Sequence, residues 1–402
     1  MRKSNKSLLP LWIAGLSLTL ALLVPNHAQS QKPEWRGKIV EEKGVKVVKN
    51  PSEPLYGEFA FELEEDFSLG NPNDDNYYFP RGAAIAVDSQ GNLFVLDIGN
   101  ARIQKYNSSG RYLQTIGRKG QGPGEFQFPS QLAFDSEGNL WVKESLMRSL
   151  SSFAADGTFK KSTTLRLPLQ QYFFISKEGF IYGLEINFMA PGGPKMAVIK
   201  LNPDGTQAET IAEFHGELKS NQPWYALHSY TSRPFMCGLD FSSFCYGFSA
   251  DYRIFFADSQ GKTVLIVEKE EKPIPISGKE KEFMLKEDSG VMGGVGRSRP
   301  AKMEDAAVFP SHRPYFGRLS ADDMGRIYVS RVPSILDKEK TKVFDVFAAD
   351  GIYLYRTSLP FWPEVIKAGF LYEIRRNEET GDIKIIRYRV KNWDKMKTGA
   401  AP

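Results

Sequence analysis

At 402 residues the chain is long for one ordinary domain, and length alone suggests two or three. Its 41% hydrophobic and 25% charged residues exclude a multi-span membrane protein and a disordered chain, while 13% aromatics with 35 Gly and 24 Pro favour many short strands joined by turns. The 52 basic and 48 acidic residues leave a net charge of +4 without the basic stripe that nucleic-acid binders carry, so no nucleic-acid partner is expected.

Arg2, Lys3 and Lys6 form a positive start, Leu11–Val24 is uncharged and mostly apolar, and small residues follow at Ala28 and Ser30. This is the plan of a secretory signal peptide over 1–30, cleaved after Ser30. Fourteen residues are short for a membrane span of about 20, and no later run is long enough, so no membrane span is expected after cleavage. The protein is therefore expected to be exported, to a periplasm or out of the cell. Residues 31–58 are an extension too short to bury a core of their own.

From residue 79 the chain repeats. Phe79–Val95 and Phe128–Val142 each read as an apolar strand, an Asp-Ser-x-Gly turn and a second apolar strand. Weaker copies start at Ile175, Phe248, Leu319 and Val365. A second hairpin follows most copies, turning at Ser109-Gly110, Asp156-Gly157, Asp204-Gly205 and Asp350-Gly351. Four-stranded units at a spacing of about 40–50 residues define a β-propeller, and six copies give six blades. The spacing places the blades at about 83–116, 131–167, 172–214, 244–276, 315–359 and 364–390. The last supplies only three strands. Residues 59–69 end as an outer strand should, so this N-terminal strand is expected to complete the last blade, within a propeller spanning 59–392. Residues 393–402 are a C-terminal tail.

The stretch Val95-Leu96-Asp97-Ile98-Gly99-Asn100-Ala101-Arg102-Ile103 and the connection Gly120-Gln121-Gly122-Pro123-Gly124-Glu125-Phe126 resemble the NHL-repeat type of six-bladed propeller, especially those exported by bacteria. The likeness covers about 59–160 closely and 170–390 loosely. It implies the fold; propellers of this kind include binding scaffolds, lyases and lactonases, so it does not choose among functions. Asp97, Asn100 and Arg102 are read as braces between neighbouring blades. Gly117–Gly124 lacks the Lys-Ser/Thr of a phosphate loop and leads into a strand.

Strand direction alternates within a blade. The short Asp-Gly turns therefore share one face, and the long segments 70–82, 117–130, 184–195, 215–243, 277–314 and 331–341 share the other, where binding is expected. Lys279–Asp288 reads as a short charged helix. On this face Trp224, Tyr225, His228, Tyr230 and Arg233 form an aromatic and cationic cluster suited to a sugar, peptide or aromatic ligand. Arg297, Arg299 and Arg313 are further candidates for anionic groups. His215, His228 and His312 are the only histidines after the leader and could together hold a zinc ion, while dispersed carboxylates could hold calcium; no cofactor is identified by motif. Cys237 and Cys245, the only cysteines, are read either as a disulfide or as two thiols in a Phe-rich strand pair.

Two functions follow. The first is a monomeric binding or scaffold protein that engages a protein, peptide or glycan through the loop-rich face. The second is a metal-assisted lyase or hydrolase at the central channel mouth.

Overall fold

The computed structural model describes residues 34–187, 190, 195–216, 230–291, 309–337 and 341–399. The expected signal peptide over 1–30, Trp224, Tyr225, His228, Arg297 and Arg299 lie outside these residues. Among the described residues no helix is long and apolar enough to cross a membrane.

The chain opens with a hairpin, β1 (Lys38–Glu42) and β2 (Val45–Asn50), then β3 (Glu58–Phe59) and β4 (Leu63–Leu69). Six antiparallel blades follow. Blade 1 is β5 (Ala83–Val87), β6 (Leu93–Asp97), β7 (Arg102–Tyr106) and β8 (Tyr112–Ile116). Blade 2 is β9 (Pro129–Phe134), β10 (Leu140–Glu144), β11 (Ser149–Phe153) and β12 (Phe159–Thr164). Blade 3 is β13 (Gln170–Ile175), β14 (Ile181–Asn187), β15 (Lys195–Leu201) and β16 (Gln207–His215). Blade 4 is β17 (Pro234–Asp240), β18 (Ser243–Phe248), β19 (Arg253–Asp258) and β20 (Thr263–Lys269). Helix α1 (Gly278–Val291) precedes blade 5, which is β21 (Arg318–Ala321), β22 (Ile327–Ser330), β23 (Lys342–Phe347) and β24 (Tyr353–Leu359). Blade 6 is β25 (Val365–Lys367), β26 (Phe370–Arg376) and β27 (Ile383–Val390), with β4 as its fourth strand.

The second strands of blades 1, 2 and 5 are buried along their length, as in β6 (Leu-Phe-Val-Leu-Asp), because each sits between two neighbouring sheets. Outer strands such as β8 alternate between half-buried and exposed residues because one face meets water. The repeated Asp makes the first hairpin turn: Asp88 Oδ1 accepts from the backbone N–H groups of Gln90 (2.9 Å) and Asn92 (2.8 Å), and Gly91 takes φ 80°. Asp135 repeats this with Glu137 and Asn139, and Asp322 with Met324 and Arg326.

Glycines of the second hairpin turn lock one blade to the one before it. A Cβ on Gly157 would meet Ile116, on Gly205 the Thr164 carbonyl, on Gly261 Ile211, and on Gly351 Val267 and Val48. Gly110 abuts Phe67 of β4 in the same way; the non-covalent seam of the ring lies within blade 6, since β4 runs on through residues 70–82 into blade 1. At that seam β4 pairs antiparallel with β27. Asn392 bridges the break: its Nδ2 donates to the Ala60 carbonyl (2.9 Å) and its Oδ1 accepts from Glu62 N–H (3.1 Å).

Three observations go beyond the sequence reading. The extension is not loose: β2 adds parallel to β20 and β3 parallel to β24, so it runs along blades 4 and 5 before β4 enters blade 6. Buried Asn50 fixes it, donating to the Glu268 and Gly351 carbonyls and accepting from Trp35 Nε1 and Tyr353 N–H. The expected tail also docks: Met396 is buried, and Gly399 accepts from the Tyr56 hydroxyl. Finally, blade 4 begins at Pro234, not near 244. Its first turn carries Asp240 without the repeat's glycine, with Asp240 Oδ1 accepting from Ser242 N–H at 2.7 Å, so the hairpin is invisible to a glycine-marked pattern.

Asn392→Ala leaves two backbone groups at the closing strand without their side-chain partner. It is expected to cost about 1–2 kcal/mol and to lower the thermal midpoint; an unchanged midpoint in a thermal melt would remove Asn392 from the closure.

Candidate functional site: a pocket over blades 4 and 5

The described parts of the long segments 215–243, 277–314 and 331–341 meet over blades 4 and 5. Ser277 and Glu280 start α1 as a capping box, with Ser277 N–H donating to Glu280 Oε2 (2.9 Å) and Glu280 N–H to Ser277 Oγ (3.3 Å). Glu280 also latches the helix to its neighbours. Its Oε1 accepts from the Tyr230 hydroxyl (2.7 Å), Ser334 Oγ (2.8 Å) and Arg313 Nη2 (2.9 Å). Tyr230 in turn accepts from Ile335 N–H at 2.8 Å. Burial pushes the Glu280 carboxyl up, but the donors Tyr230, Ser277 and Ser334 outweigh it and hold it at about 2.

Beneath the latch lies a buried charge cluster. Lys269 Nζ contacts Asp345 (2.8 Å) and Glu271 (2.5 Å), and its ammonium lies over the rings of Tyr252 and Tyr353. Both of those hydroxyls donate to Asp345, at 2.8 and 2.5 Å. Arg331 forks onto Glu271 (3.0 and 2.9 Å), and Arg356 reaches Asp345 at 3.3 Å. Burial opposes the charge on Asp345, yet Lys269, Tyr353 and Arg331 lower its pKa.

This framework walls a cavity of about 490 Å³ on the long-loop face, lined by Arg233, Phe235, Phe316, Arg318, Arg331 and Trp362 among others. Ser249 sets Arg233 at the start of β17: its Oγ accepts from Arg233 N–H (2.9 Å), and its N–H donates to the Arg233 carbonyl (3.0 Å). Arg318 opens β21 and is gripped by both oxygens of Glu364, at 3.1 and 2.8 Å.

The candidates divide. Arg233 lines the cavity. Tyr230 is 1% exposed and, with Arg313, belongs to the Glu280 latch. His215 ends β16 with an exposed ring 3.6 Å from Glu213. His312 packs on Tyr315, with Nδ1 2.9 Å from the Arg313 carbonyl. Among the described residues no three His, Cys, Asp or Glu side chains converge on a point. Cys237 and Cys245 face each other across β17 and β18 with sulfurs 3.3 Å apart, as two free thiols. Burial pushes the Cys245 thiol up.

Two other segments hold themselves together. Asp97 accepts from Asn100 Nδ2 (2.8 Å) and Arg102 Nε (3.1 Å), and Arg102 reaches on to Asp75. The glycine loop is filled by its own acid, since Glu125 accepts from Gly122 N–H (2.9 Å) and Arg118 Nε (2.7 Å). The sequence reading missed Arg318, Arg331 and Trp362. The only signal available was position: Arg318 opens the first strand of the fifth copy, at the channel mouth.

The family comparison agrees with this architecture. Residues 85–217 match the family described as 6-bladed beta-propeller. No curated protein matches the chain. Among solved structures, a Bacteroides fragilis protein named as exported is similar at 13% identity and TM-score 0.48, over 86% of this chain and 99% of that one. A Bacteroides vulgatus protein is similar at 11% identity and TM-score 0.49, over 82% and 98%. A streptogramin B lyase is similar at 14% identity and TM-score 0.40, over 82% and 98%.

The latch has a defined pH response. A carboxyl whose folded pKa lies below its unfolded value adds stability that is present above the unfolded value and lost as pH falls through the folded one. For Glu280 that window runs from an ordinary 4.5 down to about 2. Comparing acid unfolding of wild type and Glu280→Gln, the variant is expected to be less stable at pH 7 and the gap to close towards pH 2. A gap independent of pH would contradict the latch.

Proposed function

We propose that the chain is an exported binding protein that seats its partner, a protein, peptide or glycan, on the long-loop face over blades 4 and 5. One observation carries this reading. The cavity brings Arg233, Arg318 and Arg331 together with the half-buried rings of Phe235 and Trp362, on walls fixed by the half-buried carboxylates Glu364 and Glu271 and by the Glu280 latch. Such a hollow, pre-formed and mixed in character, suits recognition. Export is supported by the basic, apolar and small-residue order of the first thirty residues.

The competing chemistry, metal-assisted bond cleavage at the channel mouth, requires a resident ion. Metal analysis of the mature chain from Gln31 onward, after exhaustive dialysis, separates the two. The binding reading expects no stoichiometric metal and no thermal stabilisation when zinc or calcium is added back. Near-stoichiometric zinc or calcium would overturn it in favour of a lyase or hydrolase.

A further inference from the structure

We propose that the blade 4–5 pocket takes a compact sugar bearing an oxyanion, either a carboxylate or a phosphate. This deepens the binding reading above and rests on it. The first ground is charge. Among the described residues every charged side chain lining the cavity is an arginine, namely Arg233, Arg318 and Arg331, and no carboxylate lines it. Glu364 and Glu271 grip Arg318 and Arg331 and so fix their guanidinium planes.

Those partners do not cancel the field. Behind Arg331 three cations, Lys269, Arg331 and Arg356, share two carboxylates, Glu271 and Asp345. Arg233 is exposed, and among the described residues no carboxylate pairs with it. The pocket is therefore left net positive, with one guanidinium fork open. A planar fork of this kind meets carboxylate and phosphate oxygens two at a time.

The second ground is shape. Phe235 and Trp362, both half-buried, offer aromatic surface beside the cations, and flat C–H faces of a sugar ring pack against such surfaces. A hollow of about 490 Å³, with anchors on several sides, suits a ring better than an extended chain.

Calorimetric titration of the full mature chain with D-galacturonate, glucose 6-phosphate, D-galactose and a tripeptide with a free C-terminal carboxylate tests this. At least one acid sugar is expected to bind, D-galactose is not, and added salt weakens the binding. The two acid sugars distinguish carboxylate from phosphate. Arg233→Ala is expected to weaken acid-sugar binding about tenfold or more, because a charge-assisted contact is lost. Arg233 is exposed, so the variant should melt like wild type, which separates lost binding from lost folding. Equal binding of galactose and galacturonate, binding of the tripeptide alone, unchanged affinity in Arg233→Ala, or no binding of any probe would each overturn the proposal. A metal-free chain that binds none of the sugars would defeat this ligand class while leaving the broader binding reading standing.

Discussion

The fold depends on a joint that has no peptide bond. Blade 6 owns only three strands from its own segment, and β4, more than three hundred residues earlier, must pair with β27 to finish it. If that pairing failed, the ring would open within blade 6, between β27 and β4, and the inner strands would no longer face a common centre. Asn392 replaces the missing turn, while Phe67 receives Gly110 as the outer strands of blades 1 to 4 receive the glycine of the next blade. Arg387 adds to the seam by pairing with Asp66 between the rings of Phe67 and Phe370. Closure fixes the angle between blades, and that angle shapes the hollow above blades 4 and 5.

The same N-terminal run that closes the ring also supports the pocket. Asn50 ties β2 to the outer strand of blade 4 and to the Gly351 turn of blade 5. Directly inward lie Lys269 and Asp345, whose side chains are fully buried. Taking such a pair out of water is expensive, and replacing a pair of this kind with apolar residues is often neutral or stabilising. Its retention at the seam beneath Arg331 is better understood as orientation. The cluster forces Glu271, and through it Arg331, into one geometry. Rigidity of this kind lowers the ordering cost of binding.

Much of the fold was legible because each copy uses the same physics. Asp88, Asp135 and Asp322 make one turn by one set of hydrogen bonds, and the following glycines adopt one positive-φ conformation, so the residues recur with the structure. Blade 4 broke the pattern where Asp240 formed its turn without a glycine. Residues 31–58 were read only as an extension, because nothing local in Val45-Lys46-Val47-Val48-Lys49-Asn50 says that its partner is β20, over two hundred residues away. The site was legible only in part. Loop length and strand parity pointed to the face that carries the cavity, and Arg233 is among the residues that line it. Tyr230 and Arg313 looked like ligand groups because their residue types suit ligands, yet a single carboxylate, Glu280, recruits both into the scaffold. Arg318 and Arg331 were hidden because their roles arise from which blades meet, a property of the closed ring.

The central claim is that the recognition surface is the blade 4–5 hollow on the long-loop face. Hydrogen–deuterium exchange of the mature chain, with and without D-galacturonate, tests it most directly. The account expects slowed exchange at the backbone amides of 231–233, 315–318 and 331–332, with little change elsewhere. Protection centred on the opposite face, around 88–91 and 367–370, or no protection at any of these amides, would contradict it.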